Sequence, residues 1–213
     1  MIKDETNTLN HLNAVCTVIN TINKELKINH KCLAVTSYIP QQGKSRIIQL
    51  VAEALSKSGY KTLLIDANIR APYLSHMAMI EGAQGLLDFV SMLKEREIKY
   101  REIMPYIKKI DEENLYFLPC FEQLNESYTQ YIKKEDVQYI FSILKERFDV
   151  ILVETPSFKA LSYTQSILEA CDGYFMIIKK GKLLKKDAFL INKNIQQVQG
   201  NLIGAILNKA QRL

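Results

Sequence analysis

The sequence predicts an α/β fold in which a doubly wound, mostly parallel sheet is flanked by helices. Short apolar runs alternate with longer helical patterns along the 213 residues. The runs are apolar throughout, as in "DVILVET" at 149–155, which indicates strands that are buried on both faces. Strand–helix alternation of this kind is typical of parallel sheets with helices on both faces.

The individual elements follow from the same patterns. In the helix predicted at 44–59, Ile48, Val51 and Leu55 recur at helical spacing, and Gly59 suits a C-terminal cap. We expect six strands, at 32–37, 61–67, 114–119, 149–155, 173–179 and 202–208. We expect further helices near 85–97, 135–147, 160–170 and 183–198.

Composition excludes some classes of protein. Hydrophobic residues make up 47% of the chain, which is enough for an ordinary core. The four cysteines form no C-x-x-C pair, so the spacing of a zinc or redox site is absent. The N-terminus is polar and the apolar runs are too short to cross a bilayer, so we expect a cytoplasmic protein.

Charge and patterning give further expectations. Residues 1–30 are expected to form a separate amphipathic helix, and residues 31–213 one domain. The net charge of +5 is compatible with an acidic partner or an anionic membrane surface. Five lysines lie in "KKGKLLKK" at 179–186; we interpret this run as a solvated loop and helix start, with an acidic partner or anionic lipid as alternatives. No aromatic residues are interleaved with it, so no nucleic-acid partner is expected.

The stretch "TSYIPQQGKS" at 36–45 lies between the first strand and the first helix. A phosphate-binding loop needs backbone N–H groups and a helix N-terminus that point at the anion. Gly43 allows close approach, Lys44 suits the β- and γ-phosphates, and the Ser45 hydroxyl suits magnesium. The predicted nucleotide-binding residues are Pro40, Gln41, Gln42, Gly43, Lys44, Ser45 and Arg46.

Two observations leave an alternative open at this loop. Gly-Lys-Ser can also simply start a helix, without any ligand. The general phosphate-loop motif begins with a glycine, and here Tyr38 occupies that position, so a tyrosine must hold the turn that a glycine usually holds.

Acidic residues follow two other predicted strands. Asp66 ends the strand at 61–67 and is followed by Arg70, and Glu154 ends the strand at 149–155. Ligands of open α/β sheets bind at the carboxyl ends of the strands. Asp66 is therefore a candidate for orienting magnesium or accepting a hydroxyl proton, Arg70 for pairing with a phosphate, and Glu154 for holding magnesium. Taken singly, each acid is equally well interpreted as a strand-end carboxylate that caps a helix.

The order of these segments, together with "GLLDFV", "LYFLPC", "CDGYFMIIKKG" and "IGAILNK", resembles the bacterial tyrosine kinases of capsule and exopolysaccharide assembly. That group lies within the ParA/MinD-like P-loop ATPases, and the resemblance runs from about residue 30 to 210. Thr36, Ser37, Pro40 and the Gly-Lys-Ser run match the family loop T-S-x-x-P-G-E-G-K-S, which also commonly lacks the first glycine.

The resemblance implies a P-loop kinase-like domain that binds ATP and magnesium and transfers the γ-phosphate to tyrosine. It implies catalytic roles for Lys44, Asp66 and Arg70, metal ligation by Ser45, Asp66 and Glu154, and a position for Asn208 near the adenine. It also implies a membrane activator protein of the chain-length-determinant type and a location at the inner face of the cell membrane. A homo-oligomer is a further expectation that stays open.

Several departures from the family keep three hypotheses open. Asn68 replaces the second Asp of the family's D-x-D-x-R motif, Glu154 replaces an Asp, and Gln41-Gln42 replaces Gly-Glu. Neither the tyrosine-rich tail nor the arginines of the N-terminal oligomerisation pattern occur in the sequence, although Tyr128 and Tyr131 are candidate phosphorylation sites. The chain is accordingly an active tyrosine kinase, a degenerate nucleotide-binding regulatory subunit, or a ParA/MinD-type ATPase switch. The last hypothesis ranks lowest because the loop lacks that group's extra lysine.

Overall fold

The computed structural model describes residues 20–21, 31–69, 71–78, 84–110, 114–120, 132–158, 163–182 and 185–208. Within these ranges lie seven strands: β1 (Lys31–Ser37), β2 (Thr62–Asp66), β3 (Lys108–Lys109), β4 (Leu115–Leu118), β5 (Val150–Glu154), β6 (Gly173–Lys179) and β7 (Leu202–Asn208). The helices are α1 (Lys44–Lys57), α2 (Tyr73–Met77), α3 (Leu86–Met92), α4 (Tyr100–Ile103), α5 (Lys134–Lys145), α6 (Tyr163–Ala170) and α7 (Lys185–Gln197), with a 3₁₀ turn at Met104–Tyr106.

The seven strands form one sheet in the order β3-β4-β2-β5-β1-β6-β7. All neighbouring pairs are parallel except β3 with β4, which is antiparallel. The central strand β5 lies between β2 and β1, and all three are parallel, so the carboxyl ends of β1, β2 and β5 meet at one edge. In the registers, Glu154 is the partner of Asp66 on one side and of Val35 on the other. This brings both predicted acids beside the end of β1.

Among the described residues, the two larger hydrophobic clusters contain alternate residues of the same strands. Leu33 and Val35 of β1 pack with Ile48, Val51 and Leu55 of α1. A second cluster contains Cys32 and Ala34 of the same strand. Because successive side chains of a strand point to opposite faces, the two clusters lie on opposite faces of the sheet. The predicted doubly wound α/β architecture is confirmed.

The six predicted strands are all present, and the five predicted helices are present with somewhat shorter bounds. Helix α1 ends at Lys57, and Gly59 follows with φ 92°. The Tyr60 N–H donates to the Leu55 carbonyl, as in a glycine-capped helix end.

Some elements were missed or cannot be compared. Helices α2 and α4 and strand β3 were not predicted, because none of them is longer than five residues and no periodicity can emerge at that length. The predicted helix at 1–30 lies outside the described residues except for 20–21, which are helical, so the division into two domains stays a prediction. Tyr128 and Tyr131 also lie outside the described residues.

Among the described residues, no helix combines the length and apolar character needed to cross a membrane.

Candidate nucleotide-binding site

The loop between β1 and α1 has the backbone geometry of an anion cradle. Gly43 has φ 86° and Gln41 has φ 59°, so two left-handed residues turn the chain before the helix. The first helical hydrogen bond runs from Ile47 N to Gly43 O at 3.3 Å. The N–H groups at the start of the 14-residue α1 therefore have no carbonyl of an earlier turn as partner and are suited to bind an anion.

Tyr38, which replaces the first glycine of the general motif, is used in packing. Its side chain is 1% exposed and lies in a cluster with Met176 and Ile191. Next to it, the Ser37 hydroxyl donates to Ile39 O at 2.8 Å and fixes the turn. The tyrosine thus anchors the loop to β6 and α7 and does not line the cleft described below.

Gln42 ties the loop to the far strands of the sheet. Its Oε1 accepts a hydrogen bond from Lys179 N at 2.8 Å, and its backbone carbonyl accepts one from Asn208 Nδ2 at 2.9 Å. Its Nε2 donates to Pro40 O at 3.3 Å. A Cβ on Gly43 would lie 2.3 Å from Asn208 Nδ2, so the close contact between loop and β7 requires glycine at this position. Asn208, which is predicted to lie near the adenine, contacts the loop through its hydrogen bond to the Gln42 carbonyl.

The side chains of Lys44, Ser45 and Glu154 come together at the start of α1. Ser45 Oγ donates to Glu154 Oε1 at 2.7 Å. Lys44 is 7% exposed and Glu154 is 1% exposed. Burial lowers the pKa of Lys44, and the negative charges of Glu154 and Asp66 oppose that lowering. Burial raises the pKa of Glu154 to about 7, reinforced by Asp66 and opposed by Lys44 and Ser45.

Asp66 is fully buried and accepts three hydrogen bonds. Asn68 N donates to Oδ1 at 3.0 Å, while the N–H and the hydroxyl of Ser75 donate to Oδ2 at 3.1 and 2.9 Å. Burial raises the pKa of Asp66 to about 6, although these hydrogen bonds act against the rise. Ser75 Oγ in turn accepts from Cys120 N at 2.8 Å. Sequence reasoning missed Ser75, since no motif marks a serine nine residues after the acid.

Asn68 follows this acid in the chain, and its backbone N–H is one of the three donors to Asp66. Asn68, at the place of the family's second Asp, is 9% exposed, and its Nδ2 donates to Ala71 O at 3.0 Å. Arg70, predicted to be catalytic, lies outside the described residues. Its role therefore stays a prediction.

A cleft of about 630 Å³ opens over the loop, a size typical of small-ligand sites. Its lining includes all seven predicted nucleotide-binding residues of the loop, together with Glu154 and Asn208. It also includes residues that the sequence did not indicate: Ala71, Tyr73, Pro156, Ser157 and Lys179. Asp66 is not part of the lining and lies deeper, beside Glu154.

A loop of this geometry and sequence can be compared with known families. A family model described as an AAA domain matches residues 30–208. The chain belongs to this AAA-domain family. Relatives of this AAA domain include the tyrosine-protein kinase CpsD of Streptococcus pneumoniae, 25% identical over 200 residues that cover 93% of this chain and 83% of the relative. The tyrosine-protein kinase YwqD of Bacillus subtilis is 23% identical over 84% of this chain and 72% of its own length.

Solved structures agree with the fold of this AAA domain. The kinase domain of VpsO superposes with a TM-score of 0.72 at 21% identity, covering 99% of this chain and all of that one. The kinase domain of the Escherichia coli tyrosine kinase ETK gives 0.71 at 19% identity, covering 86% and 70%. A ParA family ATPase from Chlorobium tepidum gives 0.64 at 18% identity, covering 84% and 74%. The predicted resemblance to bacterial tyrosine kinases within the ParA-like P-loop ATPases is confirmed.

The residues of the AAA domain fit magnesium-ATP. The helix N-terminus and Lys44 offer positive charge to phosphates. Glu154 Oε2 is buried and accepts no hydrogen bond from the described residues, and a buried carboxylate oxygen without a donor is costly unless a cation or its bound water comes to it. Ser45 Oγ lies against the same carboxylate, so a hydroxyl and a carboxylate oxygen are available as hard ligands.

Proposed function

We propose that this AAA domain binds ATP with magnesium and transfers the γ-phosphoryl group to tyrosine hydroxyls, in the control of capsule or exopolysaccharide assembly. One observation carries the proposal: the Lys44 side chain is buried at the N-terminus of α1 beside two acids at neighbouring strand ends. The names of the relatives, tyrosine-protein kinases CpsD and YwqD, support the choice of tyrosine as acceptor.

In this proposal the loop binds and orients the nucleotide. Backbone N–H groups at Gly43, Lys44 and Ser45 bind the phosphates, and the Lys44 ammonium holds the β- and γ-phosphates. Ser45 and Glu154, with Asp66 behind them, hold magnesium. Bound magnesium-ATP supplies the transferable phosphoryl group and neutralises part of its charge.

Asp66 is proposed to accept the proton of the attacking tyrosine hydroxyl, with Arg70 steadying the transferred group. A carboxylate offers about four lone-pair positions, and three hydrogen bonds occupy Asp66. One position on Oδ1 therefore remains for an incoming proton. A pKa raised to about 6 is also closer to that of an efficient general base than the ordinary value is.

We further propose that the activator is a membrane protein of the chain-length-determinant type, that the domain works at the inner face of the cell membrane, and that self-association also regulates it. The names of the relatives CpsD and CapB, a putative tyrosine-protein kinase of Staphylococcus aureus, support a capsule system.

A second candidate is a regulatory subunit that binds nucleotide without efficient transfer. Asn68 favours it, because an amide whose Nδ2 donates to Ala71 O stands where a carboxylate would add a metal ligand. Loss of one carboxylate weakens a site for a divalent cation.

Thermal shift with ADP and magnesium tests the nucleotide site that both candidates share. We expect stabilisation of the chain by magnesium-ADP, its loss in Lys44→Met, and its retention in the control Lys57→Met, an exposed lysine at the other end of α1. An equal shift in wild type and Lys44→Met contradicts the site.

A phosphoryl-transfer assay then distinguishes the tyrosine kinase from the regulatory subunit. Labelled ATP, magnesium and a tyrosine-rich peptide are incubated with the chain, with and without an activator fragment. Phosphotyrosine supports the kinase. Nucleotide binding without phosphotyrosine in either condition supports the regulatory subunit and contradicts the kinase.

A further inference from the structure

The positive charge of the chain is concentrated in one segment. Residues 179–198 contain six lysines and one aspartate, a formal charge of +5 that equals the net charge of the whole chain. The other 193 residues are therefore balanced overall. Among the described side chains of the segment, Lys180, Lys182 and Lys193 are exposed. A local excess of this size attracts an anionic surface.

Exposed apolar side chains lie in the same region. Phe189 is 74% exposed, more than any other large hydrophobic residue in the described part of the chain, and its neighbour Leu190 is 39% exposed. Both belong to α7, whose inner face is fixed by the buried Ile191. Phe189 and Lys193 are four residues apart and both exposed, so one turn of the outer face carries an aromatic ring and a cation.

The end of β7 adjoins this helix. Ile178 packs in the cluster that contains Ile191 of α7. Leu207 is the register partner of Ile178, so its side chain lies on the face of the sheet that α7 covers, and it is 53% exposed. Lys180 N donates to Asn208 O at 2.9 Å, which brings the lysine loop beside the end of β7.

The exposed side chains of these neighbouring elements are Lys180, Lys182, Phe189, Leu190, Lys193 and Leu207, and we call this group the α7 corner. It combines exposed lysines with an exposed aromatic residue and leucines. Segments that lie in a membrane interface have this composition, because the cations meet lipid phosphates while aromatic and leucine side chains enter the boundary of the acyl region. An acidic polypeptide would explain the lysines and leave Phe189 without a role.

We propose that the α7 corner binds an anionic membrane surface directly, with Lys180 and Lys182 on lipid phosphates and Phe189 inserted at the headgroup boundary. This contact is additional to any membrane protein partner and does not depend on phosphoryl transfer. Lys179 and Asn208, which neighbour the corner in the chain, line the nucleotide cleft. The contact therefore holds the cleft close to the bilayer, where the membrane activator of the proposed function would lie.

Vesicle flotation of the full chain tests the proposal. The probes are phosphatidylcholine vesicles with and without phosphatidylglycerol, at low and high salt. We expect binding only to the anionic vesicles and its loss at high salt. Lys182→Ala should weaken it about fivefold, and Phe189→Ser about tenfold. The matched controls are Lys57→Ala and Met104→Ser, which remove an exposed lysine and a half-exposed methionine elsewhere and should bind as wild type does.

Failure of the membrane proposal can be distinguished from failure of the proposed nucleotide site. Magnesium-ADP should stabilise Lys182→Ala and Phe189→Ser as it stabilises the wild type, which also shows that both variants fold. Binding that all four variants retain overturns the assignment to the α7 corner. Equal binding to both kinds of vesicle overturns the electrostatic contact. Binding to polyglutamate without binding to anionic vesicles overturns the lipid proposal in favour of an acidic polypeptide partner.

Discussion

The Ser45 hydroxyl donates a 2.7 Å hydrogen bond to Glu154 Oε1, across 109 positions of sequence, and thereby joins the phosphate loop to the end of β5. The same carboxylate leaves Oε2 buried without a donor from the described residues. The register partner of Glu154 on the neighbouring strand is Asp66, so two buried acids lie side by side with Lys44 as the nearby cation. Without a bound cation, ionising both acids leaves an excess of negative charge.

This excess predicts that the stability of the ligand-free protein depends on pH. The pKa of Glu154 rises from 4.5 to about 7 on folding, so between these values the folded state holds a proton that the unfolded chain has released. The free energy of unfolding therefore falls as pH rises through this window. Asp66, whose pKa rises from 3.8 to about 6, acts in the same direction at lower pH.

The comparison is between urea unfolding at about pH 6 and about pH 8. We expect Glu154→Gln to remove about 1 kcal/mol of the difference in the free energy of unfolding between these two pH values, because glutamine is neutral at both. Glu135→Gln, at an exposed position of α5, is the control and should keep the wild-type difference. A Glu154→Gln variant with the same difference as wild type would show that the carboxylate is not buried in this way.

Alanine substitutions at two glycines test whether the loop between β1 and α1 binds the phosphates. Gly43 and Gly59 both have positive φ, at 86° and 92°, but a Cβ at Gly43 would lie 2.3 Å from Asn208 Nδ2, whereas one at Gly59 meets nothing within 4 Å. Each change to alanine costs about 1 kcal/mol for the left-handed backbone. Only Gly43→Ala also displaces Asn208 from the Gln42 carbonyl. We expect Gly43→Ala to lose stabilisation by magnesium-ADP and Gly59→Ala to keep it, measured by thermal shift. Equal ligand shifts in the two variants would contradict the cradle.

The sheet and the loop could be predicted from the sequence because both depend on local residue patterns. The six apolar runs are strands in the structure, and Gly-Lys-Ser, between a strand and a helix, lies in a loop that lines the cleft. Contacts between residues far apart in the chain could not be predicted from such local patterns. Nothing in the neighbourhood of Tyr38 shows that it packs on Met176 and Ile191, and nothing near Gln42 shows that its side chain accepts from Lys179 N.

Ser75 is a further contact of this kind, and it predicts a cost in stability. Its hydroxyl donates to Asp66 and accepts from Cys120 N, and all three groups are buried. Ser75→Ala leaves the Cys120 N–H and one Asp66 oxygen without that partner, which we expect to cost about 1–3 kcal/mol in urea unfolding. Ser142→Ala, which removes an exposed helical hydroxyl bonded to Tyr139 O, should cost less than about 0.5 kcal/mol. Equal costs for the two variants would mean that the buried hydrogen bonds of Ser75 with Asp66 and Cys120 do not stabilise the fold.

Asn68 is predicted to limit how strongly the proposed site holds a divalent cation. Asn68→Asp removes the hydrogen bond from Nδ2 to Ala71 O and adds a third carboxylate near Asp66 and Glu154. Without metal, the variant should lose about 1 kcal/mol or more of stability, because the lost donor leaves Ala71 O without this hydrogen bond and the added charge repels its neighbours.

With ADP present, the magnesium concentration for half-maximal thermal stabilisation should fall by about fivefold or more, since each added carboxylate strengthens a site for a hard cation. Asn114→Asp, at an exposed position before β4, is the matched control and should leave the magnesium midpoint unchanged. A residue that faces the cation should give two effects in Asn68→Asp: weaker stability without metal and tighter binding of magnesium, seen as a lower midpoint. A residue that only packs should give the first effect without the second. If the midpoint stays the same while stability falls, Asn68 only fixes the turn to Ala71, and the regulatory interpretation loses the residue on which it depends.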